Sequence, residues 1–171
     1  MITVTTPRLT VRRIQPDDWQ ALKKITRDFA ASEYVYYDYA FPSSDRHLQT
    51  IAKVFSQTGM FFSVVLQETQ EMIGYICLHD DGGSYDIGYC FHSDFHGKGY
   101  ALESCTALMD AVTREFQIRT FTAGTAIKNT PSVKLLLRLG FQLAYTEPVS
   151  FHKDPQGNDI VFEGGRFIRS V

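Results

Sequence analysis

The stretch Asp86-Ile-Gly-Tyr-Cys-Phe-His-Ser-Asp-Phe-His-Gly-Lys-Gly-Tyr-Ala101 decides the fold. Its first part alternates. Tyr85, Ile87, Tyr89 and Phe91 fall on one face of an extended segment, and Asp86, Gly88, Cys90 and His92 on the other. A tight turn, Gly97-Lys98-Gly99, follows, and from Tyr100 the period becomes helical, with Leu102, Cys105, Leu108, Met109, Val112 and Phe116 on one stripe. The pattern predicts a strand over 85–92 and a helix over 100–116. Such a turn lines up successive backbone N–H groups, and the helix N-terminus adds about half a positive charge. Together they make an anion site whose natural guest is a phosphate or pyrophosphate. Gly97 and Gly99 permit torsions and close approach that a β-carbon blocks, and Lys98 adds charge. An ordinary turn explains a lone Gly-x-Gly equally well, so the flanking segments must decide.

On the N-terminal side, Leu9, Val11 and Ile14 mark a strand over 8–14, and Pro16-Asp17-Asp18 opens a helix whose face carries Trp19, Leu22, Ile25 and Phe29. Residues 31–42 break this period and are crowded with rings. Each Tyr there is read two ways, as cover for the core or as wall of a substrate cleft, because a phenol offers apolar area and a hydrogen-bonding tip. Tyr34, Tyr37 and Tyr39 are the candidates for the cleft. Ser44 is an N-cap signal for a second helix, which Gly59 ends. Met60 to Gln67 and Met72 to His79 read as a hairpin.

On the C-terminal side, a strand is expected over 120–125 and a short helix over 131–139. Two strand-like segments, 141–153 and 159–169, are joined by the turn Asp154-Pro155-Gln156-Gly157-Asn158. The fold class is α/β in the α+β sense: a mixed, mostly antiparallel sheet of about seven strands flanked by about four helices. Strict strand-helix alternation is absent.

The 171 residues fit one domain spanning 1–171. With 17 Lys and Arg against 19 Asp and Glu, no global positive field favours nucleic acid. The longest apolar run, 60–66, is interrupted by Ser63 and falls far short of the roughly 20 residues of a membrane helix. The N-terminal residues carry arginines and no apolar signal core, so a cytoplasmic location is expected. Cys77, Cys90 and Cys105 form no Cys-x-x-Cys pair and are read as buried free thiols. His92 and His96 are four apart, but a strand-to-turn setting spoils the geometry that helical ligands enjoy, so no metal is expected.

Three blocks carry a resemblance: Pro7-Arg-Leu-Thr-Val-Arg-Arg13, Asp86 to Ala101, and Asn129-Thr-Pro-Ser-Val-Lys-Leu-Leu-Leu-Arg-Leu-Gly-Phe141. In content and order the sequence resembles the GNAT superfamily of acetyl-CoA-dependent N-acetyltransferases, in particular its RimJ/RimL branch of ribosomal-protein N-acetyltransferases. The resemblance implies acetyl-CoA as co-substrate, with the pyrophosphate wrapped by the main chain of Gly97, Lys98, Gly99, Tyr100 and Ala101. It implies pantetheine pairing with the main chain of Cys90, Phe91 and His92, where one N–H polarises the thioester carbonyl, and contact from Asn129 on the other side of the arm. His96 departs from the family's usual Gln or Arg at the head of the signature. Tyr145, Phe151, His152, Glu163 and Arg166 lie on segments that border the acceptor in this family.

An amine acceptor must lose a proton before it attacks, and Asp86 on the polar face of the central strand is the candidate base. A solvated residue or a partner for a cation is its other reading. Leu136 stands where many relatives have a general-acid Tyr, and Ser132 matches the serine given that role in the RimJ/RimL branch. Ser132 or Thr130 as a helix cap is the structural alternative. The expected reaction is direct attack in a ternary complex on acetyl-CoA, by a protein N-terminus or a small amine. A non-catalytic CoA-binding sensor is the rival. A homodimer is left open by the resemblance, and nothing in the sequence marks its interface.

Overall fold

Residues 2–171 are described by a computed structural model and form eight strands and four helices. In chain order these are β1 (Thr3–Thr5), β2 (Leu9–Arg13), α1 (Trp19–Ala30), α2 (Asp45–Thr58), β3 (Phe61–Leu66), β4 (Glu71–Asp80) and β5 (Tyr85–Phe91). They continue with α3 (Tyr100–Phe116), β6 (Thr120–Ala126), α4 (Thr130–Arg138), β7 (Gln142–Lys153) and β8 (Asp159–Ser170). The eighth strand, beyond the seven expected, is β1, which pairs Thr3 to Thr5 with Arg12 to Thr10. Three residues are too few for alternation to register in the sequence.

Local chemistry sets the element ends. The Ser44 hydroxyl accepts from the His47 N–H, and Gly59 closes α2 at φ +98°, in the left-handed region that glycine adopts most readily. A short 3-10 turn at Pro16–Asp18 leads into α1, and its Asp18 carboxylate accepts from the Gln15 N–H at 2.8 Å.

All strands join one sheet in the order β1-β2-β3-β4-β5-β6-β8-β7. Only the β5–β6 pairing is parallel, because α3 carries the chain back between them. Each face of the sheet buries its own core. On one face Ile87, Phe91, Phe121, Phe141 and Phe167 pack with Cys105, Leu108, Met109 and Val112 of α3 and Leu136 of α4. On the other, Ile14, Phe61, Val65 and Tyr75 pack with Leu22 and Ile25 of α1 and Leu48 and Ala52 of α2. Each buried Val, Leu, Ile, Phe or Met among them contributes about 1.5–3 kcal/mol. No helix among the described residues is long and apolar enough to cross a membrane.

Candidate active site

The two parallel strands do not stay together. β5 and β6 pair only at Tyr85–Phe121 and Asp86–Thr122, and beyond this point they splay into a V. Which backbone groups of β5 face the V follows from its other neighbour. The His92 N–H donates to the Ile73 carbonyl at 3.0 Å, and antiparallel bonding recurs at every second residue, so Cys90 with Tyr75 and Gly88 with Cys77 are also turned toward β4. The main-chain groups of Tyr89 and Phe91 therefore turn to the V side, although the Phe91 carbonyl is taken there by the His96 ring. Of the three residues expected to pair with pantetheine, Phe91 turns its main chain away from β4, whereas Cys90 and His92 turn theirs toward it. Tyr89, which is not among the expected residues, turns its main chain the same way as Phe91.

At its C-terminal end β5 runs into the glycine turn. Gly97 and Gly99 have φ of +72° and +81°, the left-handed conformation that the Gly-x-Gly reading requires, and Gly99 begins α3. A β-carbon at Gly97 would meet nothing within 4 Å, so this side of the turn is open. The Lys98 ammonium folds back on the Asp94 carbonyl at 2.9 Å and lies over the Phe95 ring. The His96 ring is also occupied: its Nε2 lies 2.7 Å from the Phe91 carbonyl oxygen. The turn is tied to α1, because Asp28 accepts from the Ser93 N–H at 2.8 Å and from the Ser93 hydroxyl at 2.7 Å.

Ser132 lies across the V, in the first turn of α4. Its hydroxyl stands 2.9 Å from the Tyr89 phenol, and its N–H is capped by Asn129 Oδ1 at 3.4 Å. The cap is thus Asn129, which the sequence reading had kept for cofactor contact, and the Ser132 hydroxyl is left for Tyr89. Burial pushes the Tyr89 phenol well above its ordinary value, an effect that the bond to Ser132 only partly offsets, so the phenol stays protonated. Alternation puts Tyr89 on one face with Tyr85, Ile87 and Phe91, and nothing local in the sequence connects it to a serine 43 residues away.

Asp86 sits at the closed end of the V in a ring of polar contacts. Its Oδ1 accepts from the Thr122 hydroxyl at 2.9 Å and stands 2.8 Å from Arg166 Nη1. Arg166 Nη2 donates to the Thr122 hydroxyl at 2.9 Å and to Asp81 Oδ2 at 3.2 Å. The cation anticipated in the second reading of Asp86 is therefore Arg166. Asp86 Oδ2 has no hydrogen-bonding partner among the described residues.

The aromatic segment packs on the β7–β8 hairpin. Tyr37 meets Phe162 edge-on at 5.1 Å, Tyr39 lies 4.4 Å from Phe151, and Tyr36 meets His152 at 5.6 Å. Between them opens a recess of about 690 Å³ bounded by Glu33, Tyr36, Tyr37, Lys128, Glu147 and Phe162, among others. Of the three tyrosines expected there, Tyr37 lines it. Tyr34 packs 6.3 Å from Tyr37, and Tyr39 projects to solvent beside Phe151. Tyr36, which was not singled out, lines it too. Asp38 lies in the same segment, and its carbonyl oxygen is 2.7 Å from His152 Nε2. Although Asp38 is exposed in area, surrounding protein raises its carboxyl above the ordinary range, against the opposing effects of the Tyr39 N–H and His152.

Cys105 is buried, but Cys77 and Cys90 are only half-buried, at the margin of the core that α1 and α2 cover. Burial pushes Cys77 up to about 11 and Cys90 up to about 12, so neither is a thiolate at neutral pH. Among the described residues no three His, Cys, Asp or Glu side chains gather as a metal would require.

Comparison with known proteins agrees with this architecture. Residues 8–142 match the acetyltransferase (GNAT) domain model. An uncharacterized N-acetyltransferase of Bacillus licheniformis, p20, is 30% identical over 148 residues, covering 83% of each chain. A GNAT-family acetyltransferase from Bacillus anthracis superposes with a TM-score of 0.83 at 21% identity, covering 99% of this chain and 98% of that one. RimL, a ribosomal L7/L12 alpha-N-protein acetyltransferase solved with coenzyme A, superposes with a TM-score of 0.79 at 18% identity, covering 99% and 98%.

Proposed function

Because the chain belongs to the acetyltransferase (GNAT) domain family, we propose that it transfers an acetyl group from acetyl-CoA to a primary amine, a protein N-terminus or a small molecule. One observation carries this reading: β5 and β6 separate after two residue pairs, and the backbone edge so freed leads through one short 3-10 turn, Ser93–Phe95, to the Gly97–Gly99 turn. A thin, amide-bearing arm fits the edge at Tyr89 and Phe91, and a pyrophosphate fits the N–H groups from Gly97 to Ala101. The residues present suit acetyl-CoA, which supplies an activated acyl group as a thioester.

The chain's own groups have distinct tasks. An inward N–H of β5 stabilises charge on the carbonyl oxygen as the amine adds. Asp86 receives the amine's proton through water at Oδ2, while Arg166 and Thr122 hold Oδ1. When the carbon–sulfur bond breaks, Ser132, oriented by Tyr89, gives its proton to the departing sulfur and regains one from water. The protonated thiols make an acyl-cysteine relay a poor fit, so attack is direct. The acceptor enters from the recess beside Tyr36 and Tyr37.

Release of CoA thiol from acetyl-CoA, measured against a panel of peptides and small amines, tests the reading. It requires at least one acceptor that accelerates release, with turnover reduced by Asp86→Ala and by Ser132→Ala. Tight CoA binding with no productive acceptor would overturn it.

A further inference from the structure

The N-terminal segment reaches the glycine turn through one side chain. Arg8 Nη1 donates to the Lys98 carbonyl at 2.9 Å, Arg8 Nε donates to Glu103 Oε2 at 2.7 Å, and Arg8 Nη2 lies 2.6 Å from the same oxygen. Glu103 Oε1 accepts from the Thr6 hydroxyl at 2.6 Å and from the Arg8 N–H at 3.2 Å. The guanidinium lies 4.4 Å over the Tyr100 ring, and Nη2 stands 3.5 Å from where a β-carbon on Gly99 would be. A residue some 95 positions earlier thus grips Lys98, Gly99, Tyr100 and the first turn of α3 together.

The consequence lies in the peptide plane between Lys98 and Gly99. In a trans peptide the carbonyl and the following N–H point in opposite directions. Drawing the Lys98 carbonyl to Arg8 therefore turns the Gly99 N–H away from Arg8. A glycine turn left alone samples other orientations of this plane, because both of its glycines are permissive. Glu103 balances the arginine's charge, so the effect on a bound anion is mainly one of geometry. The fork of donors matters, since one planar group must bond the carbonyl and the carboxylate at once.

We infer that Arg8 is a positioning residue for the anion site: it fixes the Lys98–Gly99 peptide so that the Gly99 N–H is presented to a pyrophosphate. This rests on the proposal that the turn takes the pyrophosphate of CoA. Calorimetry with CoA and with pantetheine, which lacks the pyrophosphate, tests it on the wild-type protein, Arg8→Ala and Arg8→Lys. Arg8→Ala is expected to bind CoA about tenfold more weakly, as fits loss of a charge-assisted hydrogen bond, with pantetheine affinity unchanged within twofold. Arg8→Lys does not restore CoA affinity, because an ammonium cannot span the same acceptors. Should Arg8→Ala not fold, Arg8→Lys carries the comparison alone. Variants that bind CoA within twofold of wild type, or that lose CoA and pantetheine affinity equally, would overturn the positioning role. If the wild-type protein binds CoA no better than pantetheine, the pyrophosphate reading itself fails and the role of Arg8 falls with it.

Discussion

The phenol of Tyr89 on β5 and the hydroxyl of Ser132 on α4 meet at 2.9 Å across the V between the parallel strands. Neither hydroxyl has a hydrogen-bond partner outside this pair of residues among the described residues, so each is the other's orienting group. Tyr89→Phe leaves the ring and its packing in place and removes only the oxygen. We predict a fall in kcat of roughly tenfold to a hundredfold, as for a weakened general acid, with little change in KM for acetyl-CoA. Ser132→Ala should cost at least as much, and the double variant little more than Ser132→Ala alone. Additive losses in steady-state kinetics would show that the two hydroxyls act independently.

Thr122→Val tests the ring around Asp86. Valine is nearly isosteric, but it takes a donor from Asp86 and an acceptor from Arg166 at a buried position. A loss of about 1–3 kcal/mol is expected in denaturant unfolding. Turnover should fall as well, because the Asp86 carboxylate loses one of the two groups that hold it. Full activity in a destabilised variant would assign Thr122 to the fold alone.

Two aspartates should give opposite pH signatures. Burial pushes Asp18 up, but Arg12, the Gln15 N–H and the Ser63 hydroxyl outweigh it and hold the carboxyl below its ordinary value of 3.8. Such a group adds stability that is present above the unfolded-state pKa and is lost as pH falls through the lower folded-state value. Asp18→Asn should therefore cost about 1–3 kcal/mol near neutrality, and the deficit should shrink under acid conditions below pH 3.8. Asp38 is raised instead, so its stabilising contribution is complete below its unfolded pKa and is lost as pH rises through the folded one. Asp38→Asn should raise the Tm slightly at neutral pH and leave it unchanged below the ordinary carboxyl range. Thermal unfolding of both variants across pH checks the signs.

Gly74 on β4 is a steric test of the strand that bears the site. A β-carbon there would stand 2.4 Å from the Phe91 ring and 2.8 Å from the Cys90 carbonyl oxygen. The ring can turn, but the backbone oxygen cannot move without shifting β5. Gly74→Ala should cost about 1–3 kcal/mol by overpacking and should weaken CoA binding in the same titration. Wild-type affinity in a stable variant would show that β5 tolerates displacement.

Periodicity carried most of the fold to the reader of the sequence. The stripe on α3, the alternation of β5 and the caps around α2 are written in adjacent residues, and the glycine turn fell where its spacing put it. The site was legible only in pieces. Asp86 and Ser132 could be named as candidates, but their partners, Arg166 and Tyr89, lie 80 and 43 residues away in sequence and were brought to them by sheet register and by the packing of α4. Arg8 stood in a quoted block with no visible task, because its partners are on the far side of the β2–β4 segment. Orientation was equally hidden. Alternation gives the direction of side chains, whereas the direction of main-chain groups depends on which neighbour a strand bonds first, and this separates Tyr89 and Phe91 from Cys90.

The splay of β5 from β6 also bears on what the protein must avoid. A bare strand edge on the rim of a sheet invites any passing chain to add to it, and through it aggregation. Here the freed edge lies inside the sheet, with β6 opposite and α4 close by. A foreign β-strand carries side chains on both of its faces and would have to thread between those walls. A slender linear molecule meets no such obstacle. The same placement that offers backbone groups to a thin ligand keeps them from other proteins, so selection by thickness is built into the topology before any side chain takes part.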